Sequence, residues 1–125
     1  VDYGMSVRDM TVGAAVTPIE ALEDPAAELF QVLASPIRLA VVRLLLEGER
    51  SVSDLMRELK LAQSRLSNHL ACLRNCGLVQ TRRHGNFIYY AIADPRVVEV
   101  VRMGEALAAM NAQELARCEV LQQER

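Results

Sequence analysis

The chain has 125 residues, 51% of them apolar and 4% aromatic, with three cysteines and a formal net charge of −2. That length bounds it to one domain with a modest core, of a size that is often completed by dimerisation. It contains no run of about 18 uninterrupted apolar residues to span a membrane, and no basic region followed by an apolar stretch to act as a secretory leader. The expected location is the cytoplasm, where thiols stay reduced. Three cysteines cannot all pair within one chain, so metal ligands or core residues are better readings than a disulfide framework.

The net charge hides a segregation. Between Arg57 and Tyr90 stand six Lys/Arg and one acid, a local +5 that leaves −7 for the rest of the chain. A basic middle on an acidic protein points to a polyanion met through one surface; a solvated face is the alternative reading of charge alone.

In chain order, residues 1–23 show little periodicity and read as a loosely ordered arm; residues 24–125 form the folded domain. Asp24-Pro25 offers an N-cap and a proline at the first helical position, opening a helix to about Ala34. Ser35-Pro36 repeats the device and starts an apolar helix with Ile37, Ala40, Val41, Leu44 and Leu45, ended by Gly48. Ser51 with Asp54 three residues on resembles a capping box, starting a short helix through Lys60.

Only Leu61-Ala62 separates that helix from the next, which runs from Gln63 to about Cys76 and is closed by Gly77. So short a connection is the helix-turn-helix arrangement, although helix pairs of this kind also occur without DNA. Wound at about 100° per residue, the second helix separates into faces. Leu66, Leu70 and Leu73 form a narrow apolar stripe that must bury. Gln63, Ser64, Ser67 and Asn68 lie largely away from it as a polar reading edge. Cys72 and Cys76 share a third flank with Arg65 and His69.

After Gly77 the period changes from 3.6 to 2. Leu78 to Arg83 and Phe87 to Ile92 are two strand-like runs around His84-Gly85-Asn86. An Arg-rich tip can serve solubility. Directly behind a helix-turn-helix, however, Arg82, Arg83 and His84 read as a wing reaching phosphates or the minor groove. Asp94-Pro95 caps a final helical region, with a break near Asn111. Its Val97, Val98, Val101, Leu107 and Ala108 form an apolar face wider than a lone helix on a small domain can cover. With the helix from Pro25, this region is the expected two-fold interface, and a dimer suits DNA by fixing half-site spacing. The predicted architecture is mainly α with a small β-hairpin: a homodimeric winged helix-turn-helix.

Cys72 and Cys76 lie one turn apart, about 6 Å along one helix face, so their thiolates can converge on one ion. Free cysteines also simply fill space in cores, and that reading competes for an isolated pair. Cys118 is remote in sequence and can meet the other two only through the fold, including from a partner chain. A three-sulfur site would favour large thiophilic ions over Mg(II) or Mn(II). His69 shares the flank, but a DNA or packing role suits it better than ligation. No phosphate-cradling glycine loop or nucleophile–base constellation supports an enzyme.

The span from about Ala26 to Ala108 resembles the ArsR/SmtB family of winged-helix repressors that sense metals. The resemblance is carried by Leu33-Ala-Ser-Pro-Ile-Arg-Leu39, Ser64-Arg-Leu-Ser-Asn-His-Leu-Ala-Cys-Leu-Arg74, Gly77-Leu-Val79 and Tyr89-Tyr90. It implies a homodimer that represses a detoxification operon on double-stranded operator DNA and leaves it when metal binds. From the polar edge, the local charge and the basic wing tip, the expected DNA-binding residues are Gln63, Ser64, Arg65, Ser67, Asn68, His69, Arg82, Arg83 and His84.

The family's metal sites differ from branch to branch. The cysteine box of the arsenic/cadmium type is replaced by Ser51-Val52-Ser53. The zinc/cobalt positions correspond to Asp94, Arg96, Leu107 and Met110, where only the aspartate is a ligand type. The chain is similar instead to the CmtR cadmium/lead sensors, which carry two cysteines in the recognition helix and one in the C-terminal region of the opposing subunit. Cys72-Leu-Arg-Asn-Cys-Gly77 and Cys118 fit that pattern and imply a Cd(II) or Pb(II) site. Hg(II) or As(III), a thiol-redox repressor, and a metal-binding interaction module with no operator remain the alternatives.

Overall fold

A computed structural model describes residues 23–123; the expected N-terminal arm lies outside them, apart from Glu23. The described elements are α1 (Pro25–Leu33), α2 (Pro36–Leu46), β1 (Arg50–Ser51), α3 (Val52–Leu59), α4 (Gln63–Asn75), β2 (Val79–His84), β3 (Phe87–Ile92), α5 (Pro95–Met110), α6 (Ala112–Ala116) and α7 (Glu119–Gln123). Contacts divide the chain into two units, Val1–Gln31 and Val32–Arg125. In the first, the described part is Glu23, Asp24 and α1 as far as Gln31, where Asp24 Oδ1 accepts from the backbone N–H of Ala26 at 2.9 Å. Among the described residues no single helix is long and apolar enough to cross a membrane.

The second unit is built by local signals that act as predicted. Ser35 caps α2 by accepting from the Arg38 backbone N–H at 3.3 Å, with Pro36 in the first turn. Ser51 and Asp54 form a reciprocal capping box at α3, each side chain accepting from the other's backbone N–H at 3.0 Å. The core gathers Val41, Val42 and Leu45 of α2, Leu55 of α3, and Leu66, Leu70 and Leu73 of α4, closed by Leu78, Val79, Tyr90, Val97 and Val101.

Three features differ from the sequence reading. The sheet has three strands in the order β1-β3-β2, because Arg50 and Ser51 pair with Tyr90 and Tyr89 as a short outer strand. A two-residue strand has no periodicity to read. The turn is tighter than expected: His84 pairs with Phe87, leaving only Gly85-Asn86 as the loop. Gly85 takes φ +62° there, suiting a two-residue turn with glycine leading, whose twist matches the strands. Third, the apolar residues of α5 are split between two surfaces. Val97 and Val101 are buried in the protomer, Val101 at 4% exposure, whereas Leu107 is 63% exposed.

Asp94 caps α5, accepting from the Arg96 backbone N–H at 2.8 Å, while its other oxygen meets Arg96 Nη2 at 2.7 Å. The Arg96 guanidinium, helped by that N–H, holds the carboxyl down to about 2. A folded pKa below the unfolded value stabilises fully above about pH 4 and is lost as pH falls towards 2. Asp94→Asn keeps a capping side chain but loses this linkage. The melting-temperature gap between parent and variant should therefore be open at neutral pH and close as melts are repeated towards pH 2.

Candidate nucleic-acid interface and thiol pair

The predicted helix-turn-helix comprises α3 and α4, joined through Lys60, Leu61 and Ala62. Lys60 takes the left-handed φ of +56° and ends α3, and the Leu61 N–H returns to the Met56 carbonyl at 3.1 Å. The chain then enters α4 at Ala62, whose extended backbone (φ −70°, ψ 152°) has N-cap geometry with no side chain to cap.

The faces of α4 divide as the periodicity requires. Leu66, Leu70 and Leu73 are buried, while Gln63, Ser64, Arg65, Ser67 and Asn68 are exposed. Burying each leucine contributes on the order of 1.5–3 kcal/mol, so the stripe fixes the helix's rotation and keeps its polar edge outward. His69 is half-buried and points inward: Arg38 Nη1 donates to His69 Nδ1 at 3.2 Å, and Arg38 Nε donates to the Val32 carbonyl at 2.7 Å. A guanidinium can only donate, so Nδ1 is the acceptor in this contact.

The end of α4 aims the wing. The Gly77 N–H returns to the Arg74 carbonyl at 3.1 Å and the Leu78 N–H to the Leu73 carbonyl at 3.0 Å, with Gly77 at φ +78°. This is a Schellman termination, sealed by buried Leu73 and Leu78. The hairpin that follows has two faces. Thr81 and Arg83 share one with Ile88 and Tyr90; Arg82 and His84 share the other with Phe87 and Tyr89. A shallow cleft on the first is lined by Gln63, Ser67 and Arg74 of α4 together with Val52, Ile88 and Tyr90. Arg74 belongs to the basic stretch already read from sequence, whereas the contribution of Ile88 depends on strand register and carries no local signal.

The wing cations are placed differently from one another. Arg83 is exposed at the tip, where Nε donates to the Gly85 carbonyl at 3.3 Å. Arg82 makes a fork to Glu49, from Nε to Oε2 at 2.7 Å and from Nη2 to Oε1 at 2.6 Å, and lies 4.8 Å over the Tyr89 ring. The hydrogen bond from Arg82 holds the Glu49 carboxyl below the usual range and raises Arg82 in turn. No local pattern linked Glu49 to Arg82, 33 positions apart.

All three cysteines are outside disulfides: Cys72 and Cys118 are half-buried and Cys76 is exposed. Cys76 ends α4, its N–H bonding the Cys72 carbonyl at 3.0 Å. Cys118 lies between α6 and α7, where its carbonyl accepts from the Gln122 N–H at 3.1 Å. Among the described residues no three His, Cys, Asp or Glu side chains come together to hold a metal ion. One chain therefore offers a thiol pair on α4 and a separate thiol, not an assembled three-sulfur site.

Comparison with known proteins identifies this arrangement. Residues 35–81 match the family described as bacterial regulatory protein, arsR family. A probable mercury resistance operon repressor of Streptomyces lividans is 40% identical over 95 residues, 76% of each chain. The chain belongs to the ArsR family. In crystal, Rv0081 of Mycobacterium tuberculosis is 35% identical with a TM-score of 0.69, over 80% of this chain and 98% of that one. A homodimeric winged helix-turn-helix DNA-binding domain from Mycobacterium bovis, a possible ArsR-family regulator, is 32% identical with a TM-score of 0.65, over 74% and 85%. This ArsR-family chain is thus a winged helix-turn-helix transcriptional regulator of the ArsR/SmtB repressor type.

The uncapped start of α4 gives a direct test of the local energetics. Ala62→Ser supplies the missing acceptor in geometry already suited to it, and should stabilise the domain by about 1 kcal/mol in chemical denaturation.

Proposed function

We propose that this protein is a metal-responsive repressor that binds operator DNA as a homodimer and is released when a thiophilic ion occupies Cys72, Cys76 and Cys118. The carrying observation is the position of Cys72 on α4, and of Cys76 at the C-cap of that helix, which also displays the exposed polar edge. Any ligand drawing on those thiolates acts on the DNA-reading element itself. In this reading Gln63, Ser64, Ser67 and Asn68 meet base edges, and Arg65 meets the backbone beside them. His69 acts through its tie to Arg38, which adds a polar constraint on α4 beside the leucine stripe. Arg83 and His84 reach phosphates from the wing tip. Arg82 joins them only when released from Glu49.

Replacing Ser67 or Asn68 by alanine should cost roughly 1–3 kcal/mol, concentrated at particular operator positions. Arg83→Ala should weaken binding uniformly and reduce the salt slope by about 1 per protomer. Affinity measured on operator variants across a salt series separates the two behaviours.

The dimer is supported by apolar surface that the chain leaves uncovered. Met103, Leu107 and Met110 are exposed on α5, Met110 at 83%, beside a cleft lined by Gly104, Leu107, Ala108, Asn111 and Leu115. Leu107→Glu should give folded monomers in sedimentation, because that side chain takes no part in the protomer core. Val101→Glu should unfold the chain by placing a charge inside it.

In this reading the third sulfur is the partner subunit's Cys118, which is remote in sequence from the pair. Cd(II) or Pb(II) suits such a set. A second reading, Hg(II), is favoured by the likeness to the Streptomyces lividans mercury operon repressor. The corresponding zinc-type positions offer little: Asp94 is engaged by Arg96, and Leu107 and Met110 are apolar. Binding of the ion is expected to weaken operator affinity by about 1–3 kcal/mol, with DNA weakening ion binding by the same factor. Cys118→Ser should keep repression and lose release. A variant that still leaves DNA at the parental cadmium or mercury concentration would overturn the three-thiolate site.

A further inference from the structure

Glu49 is an acid placed against the basic wing of a protein that must approach a polyanion. Its carboxylate does more than sit near positive charge: both oxygens are taken by Arg82 in a planar fork, at 2.6 and 2.7 Å. The same guanidinium rests 4.8 Å over Tyr89, the residue paired with Arg82 across the hairpin. The Glu49 side chain is 32% exposed and that of Arg82 is 54% exposed. An isolated exposed ion pair contributes little; a bidentate pair whose guanidinium also stacks on an aromatic ring has the better-defined geometry that makes such a pair count. It also joins elements that local sequence does not join, the α2–β1 connection and the outer face of the wing.

We propose that Glu49 is a positioning residue for the wing: by holding Arg82 against Tyr89 it removes that cation from phosphate contact and fixes the hairpin so that Arg83 is presented to the DNA backbone. Sequence discrimination then rises because a mobile cation that would attract any duplex is neutralised, while the tip is held at one pitch relative to α4. The inference rests on the reading of the hairpin as a phosphate-contacting wing, which Arg83→Ala tests separately.

The experiment measures binding of the full chain to operator and to a non-operator duplex of equal length, by fluorescence anisotropy between 50 and 200 mM salt. Parent, Glu49→Gln, Arg82→Ala and Arg83→Ala are compared. Glu49→Gln is isosteric and frees Arg82: non-operator binding should tighten, its salt slope should steepen by about 1 per protomer, and the operator preference should fall several-fold. Arg82→Ala should also lower that preference but leave the slope at the parental value, because Arg82 makes no phosphate contact in the parent. Net charge alone predicts instead that Arg82→Ala flattens the slope by about 1, and that result overturns the proposal. So does a Glu49→Gln protein whose slope and preference match the parent. An Arg83→Ala protein with a parental slope would remove the wing reading, while the Glu49 and Arg82 arms still report on the latch.

Discussion

The structure depends on the burial of one narrow stripe, Leu66, Leu70 and Leu73 of α4. These side chains are shielded almost completely, against α2 and α3 on one side and the base of the sheet on the other. A helix with so few apolar residues has one stable rotation, because turning it by a single position would bury Ser67 or Arg74 and expose a leucine. The outward direction of Gln63, Ser64, Ser67 and Asn68 is therefore set by the core. The tie from Arg38 to His69 adds a polar constraint on the half-buried flank, and it links α4 to both α2 and the end of α1.

The same helix sets the wing through its terminus. In the Schellman turn at Gly77 the chain reverses with its last carbonyls satisfied, and Leu78 is drawn into the core next to Leu73. From there strand alternation decides which side chain faces which way, and a slip of one residue would exchange Arg82 for Arg83. The register is pinned at three places: Val79 in the core, Tyr90 against the interior, and the short β1 pairing on the other edge of β3. Two consecutive arginines that look equivalent in sequence thus acquire opposite environments.

Much of this was legible from residue order alone. Caps at Ser35, Ser51 and Asp94, the change of period after Gly77, and the apolar stripe of α4 are local patterns with local causes, and each appears where the pattern placed it. What escaped was non-local or too short to have a period. Strand β1 is two residues long and exists only because β3 is beside it. The division of α5 into a core side and an open side follows from which turn of the helix passes the sheet; composition reads Val101 and Leu107 alike. The fork between Glu49 and Arg82 spans a helix-turn-helix and half a hairpin. Cys72, Cys76 and Cys118 were identifiable as thiols of interest, but residue order carries no pattern for where they meet.

A site complete within one protomer would bind its ion whether or not the dimer stood in the orientation that DNA requires, and binding would carry little information to the operator. A ligand shifts an equilibrium only through its different affinity for the two states. Were the third sulfur supplied by the partner's terminal segment, as proposed, the distance between donors would depend on how the two protomers are arranged. DNA fixes that arrangement through half-site spacing. On that proposal the soft ion and the duplex would compete for the same degree of freedom.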